Sequence, residues 1–131
     1  MINFELIGEP LGIPTYFQPL PGNRVSMRLA FFVGSMDDAT AGGDGVAHWF
    51  EHVPFRGTVN YPGTEQLFEQ ITRNAGNLNA STSQNKTVYD AVVPKRIWRQ
   101  ALNIVTDLAG RPLLSEAGIE AERRTIYSEI A

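Results

Sequence analysis

The sequence predicts an α+β domain: a mostly antiparallel sheet packed by helices. Three observations carry this. Strand-like runs cluster early and again in mid-chain, the second cluster reads as a hairpin, and segments of helical period separate and follow the two clusters. The 131 residues are 43% hydrophobic and 19% charged, enough for one domain with a core of its own.

Taken in order, residues 5–7 and 15–18 read as short strands separated by Gly8, Pro10, Gly12 and Pro14. Residues 24–33 read as a long strand, polar first and then apolar on both faces, which predicts a central position covered on both sides. Residues 34–45, rich in Gly, Asp and Ala, read as a loop. From 46 to 56 the pattern turns helical, with Val46, Trp49, Phe50 and Val53 as an apolar stripe and Gly57 as the C-cap. Pro54 is expected to kink the last turn. A second helix is predicted over 64–74 with Thr64 as N-cap. Strands at 77–83 and 87–93, joined by Gln84-Asn85-Lys86, form the hairpin. Pro94 opens an amphipathic helix to 109, and a last helix starts after Ser115 and runs to Ala131.

Composition removes several functions. Eleven Lys+Arg against fourteen Asp+Glu leave a net charge of −3, so no basic excess exists to neutralise nucleic acid or an anionic membrane. With no cysteine, disulfides, thiolate metal sites and cysteine nucleophiles are excluded. The longest apolar run, 29–33, falls far short of the ~20 residues of a membrane span. The N-terminus lacks the basic and apolar regions of a signal peptide, which favours a cytoplasmic location as an expectation. Gly42-Gly43-Asp44-Gly45 lacks the Gly-Lys-Ser/Thr of a phosphate loop. Trp49 and Phe50 are expected in the core, and Arg96, Arg99, Arg123 and Arg124 on solvated helix faces.

Both histidines of the chain lie in one segment, His48-Trp49-Phe50-Glu51-His52. Residues i and i+4 of a helix share a face one turn apart, so two imidazoles can converge on one cation. Glu51 is on that face too, within reach of a water on the metal, in the mirrored order of the H-E-x-x-H zinc motif. Chance places two histidines and a glutamate this way on the order of 0.1% of the time in a chain of this composition. A catalytic zinc takes three protein ligands and leaves a position for water. Without a third histidine, the last ligand must be a carboxylate, and spacing does not choose among Asp37, Asp38, Asp44, Asp90, Glu116, Glu120, Glu122 and Glu129.

The blocks around this motif resemble a known family. The run from Gly45 to Thr58, which contains His48, Glu51 and His52, looks like the zinc motif of the pitrilysin/insulysin/mitochondrial processing peptidase family, the M16 inverzincins. Gly34-Ser-Met-Asp-Asp38 resembles the family's Gly-Ser-x-x-Glu/Asp segment. Asn77-Leu-Asn79-Ala80-Ser-Thr82-Ser83, followed by Thr87-Val-Tyr89, resembles its Asn-Ala-x-Thr-Ser hairpin, and the segment from Glu122 to Glu129 is similar to its Glu-x6-Glu helix. Val53-Pro54 departs from the family's usual pair of large apolar residues.

The resemblance implies a LuxS/MPP-like metallohydrolase fold and zinc held by His48, His52 and Glu129. Glu51 is implied as the catalytic base and Glu122 as a second catalytic glutamate orienting a ligand. Asn79 and Ala80 are implied to bind an added peptide strand. It further implies a peptide or unfolded-polypeptide substrate and a second homologous half, in the same chain or in a partner. Residues 1–131 are accordingly expected to be the truncated N-terminal part of such a zinc-dependent endopeptidase. Weak activity or none alone is expected, because Glu129 lies in a last turn expected to fray. A non-catalytic subunit of the same family is the alternative, which loss of a motif residue would favour; all are present. S-ribosylhomocysteine lyase, another His-x-x-Glu-His enzyme, resembles a site that requires cysteine and is rejected.

Overall fold

The computed structural model describes residues 4–130. The chain forms β1 (Glu5–Gly8), β2 (Thr15–Phe17), β3 (Arg24–Phe31), α1 (Asp38–Ala41), α2 (Val46–His52), α3 (Thr64–Thr72), β4 (Asn77–Thr82), β5 (Thr87–Pro94), α4 (Trp98–Gly110) and α5 (Glu116–Ile130). The expected class is observed: antiparallel strands with helices laid against them. The helical end of Ala131 lies outside the described residues.

The main sheet has the order β3-β5-β4, antiparallel throughout, and β1 pairs with β2 in a separate ribbon. The central strand is β5, so β3 occupies an edge of the described sheet, contrary to the central position its apolar run suggested. The reason is visible in the pleat. Only alternate residues Val25, Met27 and Leu29 pack on the core, whereas Phe31, Phe32 and Val33 are exposed. An apolar run therefore does not by itself show that both faces are covered. By contrast β5 has neighbours on both sides, and Thr87, Val88, Tyr89, Ala91 and Val93 are all buried.

Register gathers the core on one face. Val93 faces Val25, Ala91 stands between Met27 and Leu78, and Tyr89 stands between Leu29 and Ala80. Leu67 and Ile71 of α3, with Ala101, Ile104, Val105 and Leu108 of α4, cover that face. The i, i+3, i+4, i+7 spacing of the α4 residues makes the single stripe such a layer needs.

Helix ends differ from the sequence expectation by small, explicable amounts. Pro54 does not stop the 46–56 segment but tightens it: α2 ends at His52 and continues as a 3₁₀ turn over Val53–Arg56, with Gly57 beyond it in place of a C-cap of one long helix. The N-cap of α3 is Gly63, not Thr64. Pro94 closes β5, and α4 begins after a 3₁₀ turn at Lys95–Ile97. Residues 34–45 hold a 3₁₀ turn, Ser35–Asp37, and the short α1.

A buried carboxylate fixes the segment after α2. Asp107 of α4 accepts from the Thr58 hydroxyl at 2.8 Å and the Asn60 amide at 3.1 Å, and pairs with Arg111 at 2.7 Å. Fully partnered, it ties the loop at Thr58 to the core helix and thereby sets where the chain returns as α5. No helix among the described residues is long and apolar enough to cross a membrane.

Candidate metal centre

The two histidines come together where α2, α5 and β4 meet. His48 and His52 lie one turn apart on α2, as their spacing predicts, with their Nε2 atoms 3.2 Å from each other. Glu129, two turns beyond Glu122 on α5, brings a carboxylate oxygen to 3.4 Å from His48 Nε2. One ligand atom from each of the three residues lies within 4.8 Å of the others, and among the described residues this is the group able to hold a metal ion.

Donors about 2.0–2.1 Å from a tetrahedral zinc stand ~3.3 Å from one another. The 3.2 Å and 3.4 Å edges fit that figure, and the third edge, between His52 and Glu129, is longer but within 4.8 Å. Tautomer supports the same reading. His52 Nδ1 lies 3.2 Å from Glu122 Oε2. A carboxylate can only accept, so the proton is assigned to Nδ1 and the Nε2 lone pair is left facing His48.

Glu122 is held from behind. It is 6% exposed, and its other oxygen accepts from Arg56 Nε at the end of the turn that follows α2. The guanidinium compensates a carboxylate that burial would otherwise penalise. Glu129 differs sharply: its side chain is 44% exposed, and among the described residues His48 is the basic side chain beside it.

Glu51 is 8% exposed, and its carboxylate has no hydrogen-bond partner among the described residues. It borders two grooves. One is lined by Ser35, Asp38, Asp44, His48, Ser81 and Thr82. Across Glu51 the other is lined by His52, Phe55, Phe68, Asn79, Ala80 and Glu122. The grooves follow β4, an edge strand of the described sheet, on which Asn79 is exposed and Ala80 half-buried.

Tyr89 of β5 supports the end of α2 by donating to the carbonyl oxygens of Phe50 at 3.2 Å and Glu51 at 3.4 Å. Burial first, and then the charge of Glu51, hold its phenol well above the usual value.

The acids that spacing left open separate by what they touch. Asp37 accepts from the Gly34 amide, Glu120 pairs with Arg123 and Arg124, and Asp38 turns to the backbone amides that start α2. Arg99 lies over the Trp98 ring on the surface. Phe50 is half exposed instead of in the core, whereas Trp49 is tucked against α5 through a bond from its indole to the Ile119 carbonyl. The supporting roles of Asp38, Arg56 and Tyr89 escape sequence reasoning. In the sequence Asp38 and Tyr89 stand out as members of the resembling blocks, and Arg56 by its place one turn after His52, none of which reports what they bond.

Residues 18–131 match the family model described as Insulinase (Peptidase family M16). The chain belongs to the insulinase family. Among its relatives is an "uncharacterized zinc protease" of Rickettsia bellii, 33% identical over 129 residues, an alignment covering 98% of this chain and 31% of that one. The crystal structure of pitrilysin superposes with a TM-score of 0.74 at 30% identity, covering 88% of this chain and 12% of pitrilysin. A protease from Helicobacter pylori superposes with a TM-score of 0.77 at 26% identity, over 85% of this chain and 26% of the other. Insulinase-family membership and the expected fold both stand on these matches, and the chain spans about a third or less of each of these relatives.

Proposed function

We propose that residues 1–131 are the zinc-binding part of a metalloendopeptidase that hydrolyses peptide bonds, with His48, His52 and Glu129 as the residues that would hold Zn2+. The observation that carries this reading is the pair of imidazole Nε2 atoms 3.2 Å apart with a carboxylate 3.4 Å from one of them. Zinc bound by two neutral imidazoles and one carboxylate would polarise a scissile carbonyl and bring the pKa of a coordinated water toward ~7.

The remaining steps belong to the side chains. Glu51, without a hydrogen-bond partner among the described residues and beside the two grooves, takes the proton of the attacking water and returns it to the leaving amine. Glu122 holds His52 in the tautomer that keeps Nε2 free, and Arg56 holds Glu122 in place. Asn79 and Ala80 lie on the edge strand along which an extended peptide adds by backbone hydrogen bonds, a mode that tolerates many sequences. The substrate is a peptide or unfolded polypeptide. A second homologous half, in the same chain or in a partner, supplies the rest of its grip.

Zinc titration of wild type, Glu51→Gln and Glu129→Gln tests the assignment. Wild type and Glu51→Gln should bind one zinc with equal affinity, and Glu129→Gln should lose most of it. Wherever hydrolysis is measurable, Glu51→Gln abolishes it. Equal binding by all three proteins contradicts the proposed site.

A further inference from the structure

The motif helix is short, and its first turn has no ordinary cap. Gly45 stands at its N-terminus in the left-handed region, φ 84°, and offers no side chain. The orphan amides at this end are met from elsewhere in the chain. Asp38, 4% exposed, accepts from the Gly45 amide through Oδ2 and from the Ala47 amide through Oδ1, both at 2.8 Å. His48 is the very next residue, still inside the turn these bonds hold.

Asp38 is itself held from the opposite side. The segment before it hangs on the tip of the β4–β5 hairpin: the Ser35 amide donates to the Ser83 carbonyl at 3.0 Å, and the Met36 amide to the Gln84 carbonyl at 2.9 Å. The approach is so close that a Cβ on Gly34 would stand 2.2 Å from Ser83 O and 2.7 Å from Asn85 N. Behind this strut, the Thr87 hydroxyl fastens Val33 to β5 at 3.0 Å.

From this geometry we infer that Asp38 is a positioning residue for the proposed metal site: its carboxylate, braced on the hairpin tip, sets the first turn of α2 and so the place of His48. This rests on the zinc reading above but adds to it a residue that acts through the backbone of α2 and is not among the proposed ligands. The two ends of α2 are secured differently. Tyr89 and Glu122 hold Glu51 and His52 at the far end, so loss of the Asp38 bonds releases His48 alone. A negative charge at a helix N-terminus also opposes the helix dipole favourably. Asn at this position keeps one acceptor oxygen but turns an NH2 toward a second amide donor and carries no charge.

The test pairs zinc affinity with amide hydrogen exchange for wild type, Asp38→Asn, Asp38→Ala and Gly34→Ala. Zinc binding should weaken by about 10–100-fold in Asp38→Ala, the range for residues that support ligands from behind, and by less in Asp38→Asn. Exchange in metal-free protein should quicken at Ala47 and His48 while Tyr89 and Ile104 keep their protection. Gly34→Ala should show the same local quickening with the carboxylate intact, which keeps the inference testable should the Asp38 variants fold poorly. Unchanged zinc affinity in Asp38→Ala overturns it. So does quickened exchange throughout α3, α4 and β5, which would make Asp38 a general pillar of the fold. A wild type that takes up no zinc sinks the proposed function instead, and the exchange pattern then decides the role of Asp38 by itself.

Discussion

The two helical layers of this molecule follow opposite rules. Against the sheet, α3 and α4 present Leu67, Ile71, Ile104 and Leu108, apolar and fully buried. Where α2 meets α5, the covered side chains include Glu51 and Glu122, and the contacts are imidazole to carboxylate and guanidinium to carboxylate. The first layer gains stability from the removal of apolar surface from water. In the second, Glu122 is held in place by His52 and Arg56 while the Glu51 carboxylate has no partner among the described residues, an arrangement that fixes geometry at little net gain in stability. Folding and the proposed chemistry thus fall to different pairs of helices, with α2, α3 and α4 each in contact with β4 or β5.

Changes in one layer should therefore leave the property of the other intact. The largest effect on stability is expected in the apolar layer. Ile104→Ala should cost about 2–5 kcal/mol in denaturant unfolding, with zinc stoichiometry unchanged in the protein that remains folded. A loss of zinc from folded Ile104→Ala would break the separation of layers. Next comes Arg56→Met, which keeps the apolar stem but removes the guanidinium from Glu122. Zinc affinity should fall about 10-fold or more, with a small change in unfolding midpoint; unaltered affinity would show that Glu122 orients His52 without help.

Smaller still is the contribution of Tyr89, which touches both layers. Its phenol is raised in the folded protein, so the neutral form is favoured there. The stabilisation is complete below pH ~10, the value of a free phenol, and is lost as the pH rises beyond it. Alkaline unfolding curves should accordingly be flatter above that pH for Tyr89→Phe than for wild type. Parallel curves would place the buried phenol outside the energetics of the α2 carboxyl end.

What the sequence makes legible divides along the same line. Local periodicity suffices for the elements: the hairpin with its Thr82–Thr87 closing pair, the stripe of α4 and the i, i+4 histidines of α2 all lie where short-range pattern puts them. Sheet order is another matter. A strand as apolar as 29–33 reads as central, yet order is set by pairing partners far away in the chain, and β5 takes the middle. The same holds at the site. The spacing of His48, Glu51 and His52 points to a metal by itself, whereas the choice of Glu129 needed the family resemblance. Asp38, Arg56 and Tyr89 act through bonds across 7 to 66 residues of sequence, and no local rule reports those.

In the proposed site, two imidazoles from one helix and one carboxylate from another converge on a single cation. X-ray absorption at the zinc edge, on protein equilibrated with one equivalent of zinc, reads that shell directly. Two imidazole nitrogens are expected at about 2.0–2.1 Å with oxygen completing the site, and the imidazole scattering should halve in His48→Ala. An all-oxygen shell, or two imidazoles that persist in His48→Ala, would contradict it.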